Sequence, residues 1–321
     1  MAAMPPLAEC LGLAETALRA LGDTAKMPPK IGVRPRQPGS LAHAMPALLR
    51  GPAADGSDDL IGMKWIAGFP RNVDLGLPAY SALTIVNDSR TGVPLAVMDA
   101  GPITARRTAA VSGAAIRLFA PRVAGRAPRV AVLGAGVQGR SHLAVIGCCL
   151  PGAETAIVDV DGDRAAALAG EAPTVDGLGS ARAVESIREA VDSADVVVSA
   201  VSFGPERQTL DPAWLGPQAL LVAVDYDMQA PAALAVEALF VVDERDQFLA
   251  TRAAGTYFAG YPDPDATLGE ILRDGSARPG SARPEGRILV THLGTGLTDV
   301  VFAAAILRQA EQLGLGMLLP R

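Results

Sequence analysis

The stretch RVAVLGAGVQGRSHLAVIG, residues 129–147, constrains the fold more than any other part of this sequence. Apolar residues precede three glycines spaced Gly-x-Gly-x-x-Gly, and an apolar-periodic segment follows them. A strand, a glycine turn and a helix in this order are typical of a dinucleotide-binding unit. Gly134 allows the tight turn, Gly136 allows close approach of a pyrophosphate, and Gly139 allows the helix to pack against the strand. Similar glycines also occur at ordinary strand–helix turns, so the motif alone leaves both interpretations open.

The following segment, TAIVDVDGDRAAAL, supports the nucleotide interpretation. Asp159 lies 20 residues after Gly139, where an acid at the tip of the second strand can bind the ribose hydroxyls. Asp161 would share its face if the strand continues, and Asp161 or Asp163 can instead cap the next helix. An acid at this tip repels a ribose 2′-phosphate and so favours NAD over NADP, whereas Arg164 nearby favours NADP.

Composition excludes several classes of protein. The 321 residues carry a net charge of −6 with dispersed basic residues, so we expect neither nucleic-acid nor membrane partners. No apolar run reaches the ~18 residues of a membrane span, and the N-terminus does not resemble a signal peptide. Cys10, Cys148 and Cys149 show no metal-ligand spacing and are expected to be buried, reduced thiols in a cytoplasmic protein. With three histidines in the chain, no metal site is expected.

The pattern along the chain predicts an α/β fold with a doubly wound parallel sheet and a second, β-rich α+β domain. The boundaries predicted are 128–296 for the nucleotide domain, and 1–127 with 297–321 for the other. Residues 273–286 are predicted to form a flexible loop. The predicted nucleotide-domain elements after the second strand are a helix over 180–194, strands at 195–201, 219–227, 238–244 and 287–296, and a final helix over 297–314. Upstream, the predicted elements are strands at 61–69, 80–88 and 94–101, a turn at 89–92 and a helix over 103–120.

Three further motifs resemble one known family. They are Lys64-Trp65…Gly68-Phe69-Pro70…Asn72, then Asn87-Asp88…Thr91-Gly92, then Thr104-Ala105-x-Arg107-Thr108-Ala109-Ala110. Together with the glycine turn they resemble the ornithine cyclodeaminase/mu-crystallin family over roughly residues 27–314. The resemblance implies a β-rich substrate and dimerisation domain beside a Rossmann domain, and action on amino or imino acids with NAD(P).

The resemblance also implies a substrate site. Lys64 and Arg107 match family residues that hold the substrate carboxylate, and charge-assisted bonds of this kind fix the α-carbon for reaction. Arg106 is the alternative to Arg107. Lys30 lies near a third carboxylate-binding position, where Arg34 or Arg36 can serve instead. Met45 matches a pocket methionine.

Asp227 matches the family aspartate that transfers protons and binds the amine. It also follows a predicted buried strand, where doubly wound sheets collect functional groups, although an aspartate there can simply cap a turn. Asp225 would share its face if the strand continues, and Tyr226 replaces a residue that is usually small. His292 is either a proton shuttle or a structural histidine, and it stands with Thr291 and Thr295 in a segment that lies against the cofactor in the family. The remaining cofactor-binding candidates are Thr108, Val137, Gln138, Ser202 and Asp225.

One departure from the family concerns the substrate. His43 stands where ornithine cyclodeaminases have a glutamate that binds the distal amine. We therefore expect a reversible NAD(P)H-dependent imine reductase or amino-acid dehydrogenase, with Lys30, Arg34 and His43 suiting an acidic substrate such as iminosuccinate. The alternatives are a redox-neutral cyclodeaminase and a non-enzymatic mu-crystallin-like NADPH-binding protein. A homodimer through the β-rich domain is expected, because its strands would otherwise expose unpaired edges.

Overall fold

The structure is a computed structural model that describes residues 2–275 and 283–318. The chain divides into two compact units, Met1–Arg107 with Thr295–Arg321, and Thr108–Gly294. The division falls inside one continuous helix, Gly101–Phe119.

The first unit is built on an antiparallel sheet in the order β1-β3-β4-β5-β6, with β2 paired to β3. Its strands are β1 Ala25–Lys26, β2 Ile31–Val33, β3 Leu41–Leu49, β4 Leu60–Gly68, β5 Tyr80–Asn87 and β6 Pro94–Asp99. The predicted strands at 61–69, 80–88 and 94–101 correspond to β4, β5 and β6, whereas β1 to β3 were not predicted.

One face of this sheet is covered by a helix. Gly62 in β4 carries no side chain, and a Cβ there would lie 2.4 Å from the Ile85 carbonyl oxygen and 3.1 Å from the Val300 side chain. Since Lys64 follows Gly62 by two residues, it is on the same face of the strand. The small residue thus lets the C-terminal helix pack on the sheet beside Lys64.

The opposite face of the sheet is apolar and exposed. Ile61 and Trp65 alternate with the inward residues of β4, and register places Leu83 opposite Trp65. Val97 lies on the same face, because it pairs with Ile85, which pairs with Met63. These four side chains are 37% to 53% exposed. The exposed apolar surface is therefore a sheet face, whereas exposed strand edges were the basis of the expected homodimer.

The second unit contains a parallel sheet in the order β13-β12-β14-β11-β10-β7-β8-β9. Its strands are β7 Arg129–Leu133, β8 Glu154–Val158, β9 Ser180–Ala183, β10 Val196–Ser199, β11 Leu220–Ala223, β12 Leu239–Val242, β13 Ala266–Thr267 and β14 Ile288–Thr291. The central strands β10, β11 and β14 are buried along their whole length, as expected for a sheet with helices on both faces. The predicted α/β class with a doubly wound parallel sheet is confirmed.

The helices of the described residues are α1 Leu7–Ala20, α2 Gly101–Phe119, α3 Val137–Cys149, α4 Gly162–Gly170, α5 Ile187–Val191, α6 Ala232–Glu237, α7 Arg245–Ala253, α8 Leu268–Asp274 and α9 Gly296–Gln312. The predicted helix over 180–194 is wrong in its first half, because residues 180–183 form β9 and only α5 is helical. Residues 276–282 of the loop predicted at 273–286 lie outside the described residues. None of the described helices combines the length and apolarity that a membrane crossing requires.

Candidate functional site

The glycine turn after β7 has an open helix start. Gly134 adopts a φ of 100°, and a Cβ there would lie 2.5 Å from the Ala200 carbonyl oxygen. A Cβ on Gly139 would lie 1.9 Å from the Gly134 carbonyl oxygen, so neither position accepts a side chain. Gly136 precedes α3 without a capping side chain, and no atom lies within 4 Å of its Cβ position. The N–H groups at the start of α3 can therefore bind an anion such as a pyrophosphate.

The two predicted ribose acids have different surroundings. Asp159 directly follows β8, and its Oδ2 accepts a hydrogen bond from the Ala135 N–H at 2.7 Å, which places its carboxylate against the glycine turn. The expectation that the strand continues to Asp161 is wrong, because β8 ends at Val158. Asp161 instead caps α4 and forms an ion pair with Arg164 at 3.2 Å. The capping alternative therefore holds for Asp161.

Of the other cofactor candidates, Val137 and Gln138 follow β7 and Ser202 follows β10, whereas Thr108 lies within α2. Thr108 is buried in α2, and Val137 and Ser202 are exposed. The Oε1 atom of Gln138 is buried without a hydrogen-bond partner among the described residues. It is an acceptor in the first turn of α3, next to the open start of that helix.

Asp225 is a buried carboxylate bound through one oxygen. Its Oδ2 accepts hydrogen bonds from Ser199 Oγ at 2.5 Å and from the Val201 N–H at 3.0 Å. Its Oδ1 has no hydrogen-bond partner among the described residues. Burial raises the pKa of Asp225 to about 6. This carboxyl group can therefore change its protonation state near neutral pH.

Asp227 is also buried, and both of its oxygens have partners. Oδ2 accepts a hydrogen bond from the Phe258 N–H at 2.7 Å, and Oδ1 lies 3.4 Å from Nη1 of Arg207. The predicted alternation of Asp225 and Asp227 on one strand face is wrong, since β11 ends at Ala223 and Tyr226 between them has a φ of 62°. A tyrosine in this left-handed region is strained.

Tyr226 belongs to a partly exposed aromatic cluster beside these acids. Its ring centroid lies 5.2 Å from that of Phe203 and 5.0 Å from that of Tyr257, both edge-on. The guanidinium of Arg207 lies 4.3 Å from the centroid of Tyr257. This cluster holds Arg207 next to Asp227.

In the first unit, Lys64 and Arg107 meet on a third residue, Asp299. Lys64 Nζ lies 3.2 Å and Arg107 Nε 3.1 Å from the same oxygen, Oδ1 of Asp299. The side chains are 1%, 6% and 0% exposed. Strand β4, helix α2 and the first turn of α9 each contribute one member. The geometry therefore joins the two predicted carboxylate anchors through an acid that the sequence argument missed.

The electrostatics of this cluster follow from burial. The pKa of Lys64 is lowered to about 8, chiefly by desolvation and also by the charges of Arg107 and Lys30, while Asp299 acts in the opposite direction. Arg106, the alternative to Arg107, is only half-buried. Its charge acts on the pKa of the Cys10 thiol in α1, whereas Arg107 forms the ion pair with Asp299. Asp299 did carry a sequence signal, as an acid within the otherwise apolar start of the predicted helix 297–314.

The remaining substrate candidates lie on β2 and β3 or beside them. Met45 is buried and pairs directly with Lys64 across β3 and β4. His43 pairs with Gly32, where a Cβ would lie 2.6 Å from its ring. Burial, with the positive charges of Lys30 and Arg34, lowers the pKa of His43 to about 4. His43 is thus a neutral side chain at pH 7.

His292 belongs to a buried hydrogen-bond chain. His142 Nδ1 lies 2.6 Å from the Gln138 carbonyl oxygen, which only accepts, so Nδ1 carries a proton. Burial lowers the pKa of His142 to about 4, so its Nε2 is an acceptor and takes the Ser112 hydroxyl hydrogen at 2.8 Å. Ser112 must then accept from Nε2–H of His292, also at 2.8 Å. The chain fixes the Nε2-protonated form of His292.

The remaining sequence predictions concern two threonines, a metal site and the three cysteines. Thr291 is buried at the end of β14, and Thr295 caps α9. No cluster of three His, Cys, Asp or Glu side chains suited to a metal ion occurs in residues 2–275 and 283–318. The three cysteines are free thiols, but only Cys10 is buried. The expectation of three buried thiols is wrong for Cys148, which is exposed at the end of α3.

Comparison with known proteins connects both units to one family. The sequence model of the ornithine cyclodeaminase/mu-crystallin family matches residues 4–313. The chain belongs to this family. It is 34% identical to the nodulation efficiency protein NfeD of Rhizobium meliloti, over 97% of this chain and 93% of that protein. It is 30% identical to the alanine dehydrogenase of Archaeoglobus fulgidus, over 96% and 92% of the two chains.

Solved structures share the fold. Thermococcus litoralis Δ1-pyrroline-2-carboxylate reductase, in complex with NADH and L-proline, matches with a TM-score of 0.82 at 23% identity, covering 98% of this chain and 97% of that one. An archaeal alanine dehydrogenase dimer with bound NAD matches with a TM-score of 0.79 at 25% identity, covering 99% and 95%. The family predicted from the sequence motifs is therefore confirmed, and the two solved structures hold NAD(H), the first together with L-proline.

Proposed function

We propose that this family member is an NAD(P)H-dependent imine reductase, or amino-acid dehydrogenase in the reverse direction, acting on a small α-imino or α-amino acid. The observation that carries the proposal is the buried cluster of Lys64, Arg107 and Asp299. Two cations and one anion leave a net positive charge in a buried site, which is costly unless another anion joins them. A substrate α-carboxylate supplies that anion.

The two anchors have complementary tasks. Arg107 contacts Asp299 through Nε, which leaves its two terminal amino groups to form a fork with a carboxylate. Lys64 adds a point charge beside the guanidinium. Holding the carboxylate at two points fixes the position of the α-carbon, which is the alignment that a hydride transfer requires.

The cofactor proposed is NAD(H), with NADP(H) as the alternative. The open helix start at Gly136 fits a pyrophosphate, and Gly134 and Gly139 leave no space for other residues. Asp159 would bind the adenine ribose, while Val137, Gln138, Thr108 and Ser202 would line the same site. A bound nicotinamide supplies hydride exchange at the substrate α-carbon. The residues of the chain orient the substrate and manage its protons.

Asp227 is the proposed proton-exchange group for the substrate nitrogen. Its carboxylate is held by the Phe258 N–H and by Arg207, so its orientation is fixed. Asp225 and His292 are the alternatives, since the pKa of Asp225 is raised to about 6 and His292 has a fixed tautomer. A general acid near its pKa at working pH transfers protons efficiently.

The surroundings of His43 favour an acidic substrate over a diamine. His43 is neutral, and the positive charges of Lys30 and Arg34 act on it, so this corner repels the distal ammonium of ornithine. Redox-neutral cyclodeamination needs that amine close by. A second carboxylate, as in iminosuccinate, is instead attracted there. An imino dicarboxylate is therefore the proposed substrate class.

The exposed sheet face supports a homodimer as the proposed assembly. Ile61, Trp65, Leu83 and Val97 form an apolar surface on the side of the sheet opposite α9. Exposed apolar patches of this kind mark interaction sites, and a second copy covers such a patch symmetrically. We assign substrate binding and dimerisation to residues 1–127 and 297–321, and cofactor binding to residues 128–296 together with Thr108.

A spectrophotometric screen tests the function. Purified protein is mixed with NADH or NADPH, ammonia or methylamine, and a panel of 2-oxo acids that includes pyruvate and oxaloacetate. We expect oxidation of the reduced cofactor, fastest with the dicarboxylate. Cofactor binding without oxidation across the panel would instead indicate a binding protein, and ammonia release from ornithine without net cofactor consumption would indicate a cyclodeaminase.

A further inference from the structure

We propose that Asp299 is a positioning residue whose single oxygen Oδ1 holds the ammonium of Lys64 beside the guanidinium of Arg107, so that both anchors reach one carboxylate. The inference rests on the proposed function for its purpose, while its geometry comes from the contacts of Asp299 in this chain. Asp299 lies in the first turn of α9, and its partners lie in β4 and α2. The Oδ1 atom of Asp299 thus links strand β4, helix α2 and helix α9.

Two like charges at this separation need a shared counterion. Nζ of Lys64 and Nε of Arg107 each lie within 3.2 Å of Oδ1, so the two cations are close neighbours in a buried site. Their mutual repulsion is strong where water is excluded, since the effective dielectric constant is low. Without Asp299 the two neighbouring cations would have no counterion at this position. The carboxylate of Asp299 offsets this repulsion.

The geometry also keeps both cations available to a substrate. Asp299 uses one N–H of the Arg107 guanidinium and one of the three ammonium hydrogens of Lys64. Its second oxygen, Oδ2, is buried without a hydrogen-bond partner among the described residues. Lys64 and Arg107 therefore keep N–H groups that Asp299 does not occupy, and these groups can bind a substrate carboxylate.

Several charged residues near Lys64 affect its pKa. Lys30 and Arg107 lower its pKa together with burial, and Asp299 is the acid that raises it. The residues paired with Lys64 on the neighbouring strands, Met45 and Thr84, carry no charge. His43, two residues from Met45 on β3, is neutral. Removal of the Asp299 charge should consequently lower the pKa of Lys64.

The sequence makes a direct measurement simple, because the chain contains three lysines, Lys26, Lys30 and Lys64. Protein labelled with ¹³C at lysine Cε gives three signals, and a Lys64→Met variant assigns the third. The titration uses the full chain without substrate or cofactor. Its outcome is therefore independent of whether any imine is reduced, and so it separates this inference from the proposed function.

Two substitutions should move the titration in opposite directions. In wild type we expect a Lys64 midpoint near pH 8. Asp299→Asn should lower it by about one unit or more, a tenfold change in the ionisation equilibrium. Arg107→Met should raise it, because a like charge is removed. General loosening of the site would expose Lys64 and raise its pKa towards the ordinary value of 10.5, so in Asp299→Asn the sign of the shift separates positioning from structural damage.

The control is Asp74→Asn, which removes the same charge from an exposed position of the first unit and should leave the Lys64 midpoint unchanged. A Lys64 midpoint that stays constant or rises in Asp299→Asn would overturn the proposal. If Asp299→Asn does not fold, Arg107→Met decides, since an unchanged midpoint in that variant contradicts a shared site. Asp299→Glu keeps the charge and should retain a higher midpoint than Asp299→Asn.

Discussion

Replacing Arg107 by methionine should weaken substrate use far more than the same change at its neighbour. Arg107 is almost fully buried and lies 3.1 Å from Asp299 Oδ1, so its loss takes the cluster of Lys64, Arg107 and Asp299 from a net charge of +1 to zero. A substrate carboxylate then loses both the guanidinium fork and the excess positive charge. Removing one member of such a buried charge pair costs about 2–5 kcal/mol.

That cost translates into kinetics. At about 1.4 kcal/mol for each factor of ten, kcat/KM should fall about 30- to 4,000-fold. Both KM and kcat should be affected, because the carboxylate is bound less tightly and its α-carbon is aligned less well. The assay is steady-state oxidation of NADH with the best 2-oxo acid and amine found. NADH affinity, measured by fluorescence, should change by no more than a few-fold.

Arg106→Met is the matched control, since Arg106 is adjacent on α2 but outside the buried cluster. It should retain kcat/KM within a few-fold of wild type. The reasoning is refuted if Arg107→Met keeps near-normal kcat/KM, or if Arg106→Met loses as much activity as Arg107→Met.

Four further predictions concern other parts of the molecule. Asp227→Ala should lower kcat by roughly 10²–10⁴-fold with little change in KM, as expected on loss of a proton-transfer group, and near-normal kcat would assign the proton to another residue. Asp159→Ser should shift preference from NADH towards NADPH, because repulsion of the 2′-phosphate is removed; a wild type that already prefers NADPH strongly would contradict this. Since Lys64 loses its charge as pH rises through about 8, kcat/KM should decline above that pH, and a profile that stays flat well above pH 8 argues against Lys64 as an anchor. Wild type should sediment as a dimer at micromolar concentration and Trp65→Glu as a monomer, while Val236→Glu, an exposed apolar position of the second unit, should leave the dimer intact.

The sequence predicted those parts of the fold that have strong local signals. The glycine turn, the apolar strands around it and the long helices α2 and α9 all have clear periodicity or obligatory glycines. Residues 180–183, Ser-Ala-Arg-Ala, contain no β-branched or aromatic residue, and they form β9 by pairing with β8. Strand β3 contains Pro46, which weakens any strand prediction. Such elements depend on their tertiary partners.

The candidate site was predictable where a motif identified single residues, and less so where three-dimensional pairing matters. Lys64 and Arg107 were identified individually, but their common partner Asp299 lies 192 residues beyond Arg107. The alternation expected for Asp225 and Asp227 failed because the strand ends before them. Tyr226 with its positive φ then redirects the chain. The Ser112 link between His142 and His292 likewise joins distant segments, which no local pattern reveals.

The most direct measurement of the central claim follows the transferred hydride itself. Protein is incubated with NADH that carries deuterium at the transferable position, a 2-oxo acid and ammonia or methylamine, and the product is analysed by mass spectrometry. The account predicts an amino acid with one deuterium at its α-carbon, formed in equal amount to the NADH consumed. An amino acid without deuterium, or no product from any acid of the panel while NADH remains bound, would contradict it.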